Sequence, residues 1–207
     1  MPTAVKICGV SRIEDALAAA RSGAHAIGLV FYRPSPRYVI PVQARDIIRA
    51  LPPFVAAVGL FVDASAAEVR ETIAVAPVGL LQFHGSETPE FCRQFGLPYM
   101  KAVRVRAETD LLQYARDFQD AKALLLDAYV EGAHGGTGQS FDWSVIPRTL
   151  TLPVVLSGGL NVRNVVGAIQ QVRPWAVDVS SGVESAPGIK DAAKIAAFIA
   201  GVRNADV

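Results

Sequence analysis

Short apolar runs alternate with helix-period segments along the whole chain, and the runs are apolar on both faces. They are Val5-Lys6-Ile7, Ala26-Ile27-Gly28-Leu29-Val30-Phe31, Ala57-Val58-Gly59-Leu60-Phe61-Val62, Gly79-Leu80-Leu81-Gln82-Phe83, Tyr99-Met100-Lys101-Ala102-Val103, Ala123-Leu124-Leu125-Leu126, Leu152-Pro153-Val154-Val155-Leu156 and Trp175-Ala176-Val177-Asp178-Val179. A strand with no polar face must be covered on both sides, which is the situation of a parallel sheet. Helices are expected between them over residues 12–22, 42–51, 66–75, 87–95 and 108–118, from near Asn161, and over 191–203. The pattern predicts an α/β fold, a (β/α)8 TIM barrel forming a single domain over residues 1–207. Eight units in 207 residues is compact for this architecture, which usually needs about 250. An open doubly wound sheet is the structural competitor. The chain has no GxGxxG after its first strand and no GxxxxGK[ST], so neither dinucleotide nor P-loop binding gains support.

Composition excludes several classes of function. Apolar residues make up 51% and charged residues 19%, the balance of a globular protein. Lys and Arg are interspersed with Asp and Glu at a net charge of +1, so no basic surface for nucleic acid or anionic membrane is expected. No apolar run approaches the length of a membrane span, and the first residues lack a signal-peptide core. Cys8 and Cys92 form no CxxC pair and have no adjacent His cluster, which argues against zinc and a disulfide framework. A cytoplasmic, reducing setting is the default expectation.

Two glycine turns close the last two runs, Ser157-Gly158-Gly159 and Ser180-Ser181-Gly182. Glycine permits close backbone approach and lets successive N–H groups point one way, which suits an anion. Turns after strands seven and eight of such a barrel commonly hold a phosphate. Two loops are longer than the fold needs: Tyr32 to Tyr38 after the second strand, and the stretch after the sixth that contains Gly135-Gly136-Thr137-Gly138. Both would project from the C-terminal rim, where barrel active sites form.

Residues two apart on a strand share a face, so Lys6 and Cys8 point the same way, as do Asp178 and Ser180. Asp127 ends an apolar run without a packing reason and suggests a proton donor or acceptor. Cys8 reads either as a small core residue or as a thiol able to act as a base. Lys6 and Asp178, on the neighbouring first and eighth strands, are expected to form an interior ion pair because neither charge tolerates burial alone. Arg37, in a proline-stiffened loop, reads as a solvated arginine or a fork for a substrate carboxylate. Gln82 and His84 end the fourth strand as pocket-lining or structural side chains. Cys92 reads as packing.

Taken in order, Val5-Lys6-Ile7-Cys8-Gly9, Ser35-Pro36-Arg37-Tyr38, Gln82-Phe83-His84-Gly85, Leu126-Asp127, Gly135-Gly136-Thr137-Gly138 with Phe141-Asp142-Trp143, Leu156-Ser157-Gly158-Gly159-Leu160 and Val177 to Glu184 resemble the phosphoribosylanthranilate isomerase family. The resemblance runs from Val5 to about Asp191. It implies a cofactor-free, metal-free Amadori rearrangement in tryptophan biosynthesis. N-(5-phosphoribosyl)anthranilate would become 1-(2-carboxyphenylamino)-1-deoxyribulose 5-phosphate. Asp127 matches the family's general acid and Cys8 its general base. Arg37 matches the residue that holds the anthranilate carboxylate; Gly158, Gly159, Ser180, Ser181 and Gly182 match the phosphate site. The chemistry needs a protonated carboxyl and an ionised thiol together, so the site is expected to favour the neutral acid and to lower the pKa of Cys8. Expected partners are a small phosphoribosyl substrate, with no nucleic acid and no membrane, in a monomer or homodimer. The alternatives are another phosphosugar isomerase, the related indoleglycerol-phosphate synthase, or a non-catalytic phosphosugar-binding barrel, which would need neither Cys8 nor Asp127.

Overall fold

The computed structural model describes residues 2–128 and 141–205. Eight strands close into a parallel barrel in sequence order: β1 (Ala4–Cys8), β2 (Ala26–Val30), β3 (Ala56–Phe61), β4 (Leu80–Phe83), β5 (Tyr99–Val105), β6 (Leu124–Ala128), β7 (Val154–Leu156) and β8 (Ala176–Val179). The helices between and after them are α1 (Ile13–Ser22), α2 (Pro41–Ala50), α3 (Ala66–Val75), α4 (Pro89–Arg93), α5 (Leu111–Asp117), α6 (Val165–Val172) and α7 (Ala192–Ala205). β8 pairs back onto β1 with Lys6 level with Asp178, and β1 pairs β2 with Cys8 level with Gly28. The closed barrel settles the choice against an open sheet.

Strand alternation divides the apolar residues into separate clusters. Val58, Met100, Ala102, Leu125, Val155 and Ala176 fill the barrel interior. Above them Cys8, Val30, Leu60 and Val62 line the C-terminal mouth. The opposite strand faces, including Ile7, Leu29, Phe61, Phe83 and Val177, pack with Phe198 and Ile199 in the layer between barrel and helices. This two-sided burial is why the strands carry so few polar residues. Among the polar residues that do face inward, Lys6, Gln82, Asp127 and Asp178 are conspicuous, and these four are 5% exposed or less.

Local chemistry explains where elements differ from expectation. α4 begins at Pro89 rather than residue 87, because Thr88 caps it and Glu87 is drawn into the preceding loop. There Glu87 accepts from the Asp63 and Gly85 amides, both at 2.9 Å, and pairs with Lys101 at 2.8 Å. α5 begins at Leu111 because Asp110 caps it through the Gln113 amide. α6 begins at Val165, after side-chain turns in which Asn161 accepts from Arg163 N and Asn164 from Asn161 N. After β8 the chain makes a 3-10 turn over Ser181–Val183 and then an unanticipated hairpin, β9 (Glu184–Ala186) and β10 (Ile189–Lys190). The glycine-rich stretch at residues 135–138 lies outside the described residues. Among the described residues no helix is long and apolar enough to cross a membrane.

Candidate active site

The β1–β8 register places Lys6 and Asp178 side by side inside the barrel. Lys6 Nζ lies 2.8 Å from Asp178 Oδ1, with both side chains about 94% or more buried. The expected ion pair is present. Ser157 Oγ donates to the other carboxylate oxygen at 3.3 Å. Burial works against the Lys6 charge, but the Asp178 carboxylate, with a smaller contribution from Cys8, outweighs it and holds the ammonium above its ordinary range.

Cys8 sits one layer higher on the same face. The expectation of a lowered thiol pKa is not met. Burial pushes the thiol up, and the pull of Lys6 in the other direction is insufficient, because Asp178 shares that charge. Space for the thiol comes from Gly28, a residue the sequence reading passed over. A Cβ there would fall 2.8 Å from Cys8 Sγ and 3.0 Å from Lys6 Nζ. Glycine inside a strand was the available signal, since it often marks a close approach.

Asp127 ends the inward face of β6, 3% exposed. Its Oδ1 accepts from the Ala128 amide at 2.9 Å, and its Oδ2 lies 3.1 Å from His84 Nε2. Gln82 Nε2 lies 3.0 Å from His84 Nδ1. With the Gln82 amide in this orientation, which leaves its buried Oε1 without a partner, Nδ1 accepts and Nε2–H faces Asp127. Gln82 and His84 thus form a buried chain that orients the carboxyl.

Arg37 reaches the same cleft from the loop after β2, but its fork is not empty. Arg37 Nε and Nη2 donate to the two oxygens of Glu184 at 2.8 Å each. Lys190 Nζ donates to the same carboxylate at 2.8 Å. Burial raises the Glu184 pKa and these two cations bring it below its usual range. One edge of the guanidinium is thus occupied by Glu184. Glu184 and Lys190 were not assigned roles from the sequence, because nothing in the spacing links them to Arg37.

The glycine turns meet at the β7–β8 side of the mouth. Gly158 (φ 82°) and Gly159 (φ 64°) take the left-handed conformation that favours glycine. A Cβ at Gly182 would collide with the Leu160 carbonyl, so the second turn packs directly on the backbone of the first. Ser180 and Ser181 are half-buried beside them. Cys8, Arg37, His84, Asp127, Asp178 and Ser180 line one cleft. Cys92 is buried in α4, away from it, as packing. Among the described residues no group of three or more His, Cys, Asp or Glu side chains is arranged to hold a metal ion.

Comparison with known proteins gives one consistent result. The family model described as N-(5'-phosphoribosyl)anthranilate (PRA) isomerase matches residues 5–201. The N-(5'-phosphoribosyl)anthranilate isomerase of Nitrosospira multiformis is 62% identical over 98% of this chain and 97% of its own. The phosphoribosyl anthranilate isomerase crystal structure from Thermotoga maritima superposes with a TM-score of 0.90 at 42% identity, covering 98% of this chain and 99% of that one. A second isomerase structure superposes at 0.87, again at 42% identity and with the same coverage. It is a complex with reduced 1-(o-carboxyphenylamino)-1-deoxyribulose 5-phosphate. The chain belongs to the N-(5'-phosphoribosyl)anthranilate isomerase family.

Proposed function

We propose that Asp127 and Cys8 are the acid and base with which this isomerase converts N-(5'-phosphoribosyl)anthranilate into 1-(o-carboxyphenylamino)-1-deoxyribulose 5-phosphate in tryptophan biosynthesis. The supporting observation is a buried carboxyl and a buried thiol lining one cleft, each with its own polar neighbour, His84 and Lys6. Asp127 gives its proton to the ring oxygen of the ribose as the C1'–O bond breaks, and the anthranilate nitrogen supplies electrons to form the imine. The Cys8 thiolate takes the proton from C2', leaving an enolamine. The Cys8 thiol then returns its proton to C1' while the Asp127 carboxylate takes the C2' hydroxyl proton, which yields the ketone and restores both groups with no net gain or loss of protons. His84 donates to Asp127 and orients the departing proton's oxygen. Lys6 stabilises the thiolate against burial.

Arg37 is the residue we assign to the anthranilate carboxylate, through the edge not held by Glu184. Gly158, Gly159, Ser180, Ser181 and Gly182 are assigned to the phosphate. Gln82 holds the tautomer of His84 and needs no contact with substrate. All these residues lie on one chain, so the reading needs no second subunit, and free thiols at Cys8 and Cys92 suit the reducing cytoplasm. The test is the fluorescence change on turnover of the anthranilate-linked substrate. Cys8→Ser and Asp127→Asn should each lower kcat by about 10²-fold or more. Turnover near the unaltered rate in either variant removes that residue from the mechanism.

A further inference from the structure

The β9–β10 hairpin touches three rim segments at once. Ser11 Oγ donates to the Gly188 carbonyl at 2.7 Å, and Lys190 N donates to Asp15 Oδ2 at 3.2 Å. A Cβ at Gly188, where φ is 79°, would lie 2.9 Å from the Pro36 carbonyl, so the hairpin tip sits against the loop that carries Arg37. Its strand ends supply Glu184 and Lys190. The Lys190 ammonium is fully buried and donates to Glu184 at 2.8 Å, to the Ser180 carbonyl at 3.1 Å and to Ser180 Oγ at 3.3 Å. The Arg37 stem packs over Gly9, where an added Cβ would also meet Ser180 Oγ at 3.1 Å.

We propose that Glu184 and Lys190 are positioning residues that set the spacing between the two anion-holding ends of the site. Glu184 aims the Arg37 fork at the carboxylate end, and Lys190 ties that same carboxylate to the Ser180 turn at the phosphate end. The inference rests on the assignment of Arg37 and the Ser180 turn to those two groups. It fits a ligand that carries a carboxylate and a phosphate at a fixed separation. An arginine held on one edge presents its other edge in a single orientation, so less freedom is lost when an anion binds. The cluster of Arg37, Lys190 and Glu184 also retains one surplus positive charge.

Charge and positioning predict opposite signs. Glu184→Gln removes a negative charge from an anion site, so simple electrostatics tightens anion binding, whereas loss of aim weakens it. Anthranilate and inorganic phosphate, used separately as competitive inhibitors, read the two ends. Glu184→Gln should raise the anthranilate inhibition constant about tenfold while changing that of phosphate less than about twofold. Lys190→Met should raise both. Glu184→Asp keeps the charge but withdraws the carboxylate, and should also weaken anthranilate; it serves as the readout if the glutamine variant does not fold. Unchanged or tighter anthranilate inhibition in a folded Glu184 variant overturns the inference. Arg37→Lys separates the two levels of argument. If that variant binds anthranilate normally, the carboxylate assignment itself falls and takes the inference with it.

Discussion

Replacing Gly28 with alanine isolates the effect of a single atom on the base. Gly28 is not among the positive-φ residues, so alanine meets no backbone penalty there. On intrinsic grounds alanine gains about 0.5–1 kcal/mol over glycine inside a strand. Against this, the new methyl carbon would lie 2.8 Å from Cys8 Sγ, 3.0 Å from Lys6 Nζ and 3.1 Å from Cys8 Cα. Comfortable contact needs roughly 3.5–4.0 Å, so the sulfur must retreat by about 1 Å or rotate away from Lys6. Overpacking of this kind destabilises by about 1–3 kcal/mol, which exceeds the intrinsic gain. A displacement of about 1 Å at a reacting group costs on the order of 10²-fold in rate. Gly28→Ala should therefore unfold at lower urea and show kcat reduced by one to two orders of magnitude in the fluorescence assay. It should also lose the Lys6-assisted fraction of thiolate, seen as slower alkylation by iodoacetamide at a given pH. A variant with kcat within twofold and an unchanged urea midpoint would refute the reasoning about space at the thiol.

Two other outcomes follow from the buried charges. Burial favours the neutral thiol, so the thiolate fraction, read as the rate of Cys8 alkylation by iodoacetamide, should rise with pH through a midpoint above the ordinary thiol value of about 8.5; a midpoint below it contradicts the raised Cys8 pKa. Lys6→Met leaves Asp178 buried beside no ammonium and should lower stability by about 3–5 kcal/mol, with partial recovery when Asp178→Asn is added, as measured by urea unfolding; no recovery would show that the pair is not the source of the loss.

Much of this site is legible in the sequence because parallel strands covered on both faces leave few polar positions. Lys6, Asp127 and Asp178 stand out against such runs, and period-two alternation correctly assigns Lys6 and Asp178 to one interior layer. Barrel closure then follows from eight repeats and makes the first and last strands neighbours. The hairpin was not legible, since strands of three and two residues have no periodicity of their own. It is held by Asp15, Ser11 and Lys194, contacts distant in sequence or specific to the folded chain. The partner of Arg37 was hidden for the same reason, lying 147 positions away. The direction of the Cys8 shift was misread because sequence shows the nearby lysine but not how completely its charge is shared.

The ion pair between Lys6 and Asp178 has a meaning for how the protein is made as well as for how it works. Its members are 172 positions apart and meet only where β8 joins β1. Until that last seam forms, Lys6 and Cys8 lie on an open sheet edge, facing water and lacking Asp178. A chain still missing its final segment thus carries the thiol but neither the enclosed cleft nor the second glycine turn. Folds dominated by contacts this distant in sequence form slowly. Catalytic competence should therefore appear in a refolding time course with the slowest barrel-closing phase, after secondary structure is in place. Enzyme activity should then serve as the reporter of ring closure in that time course.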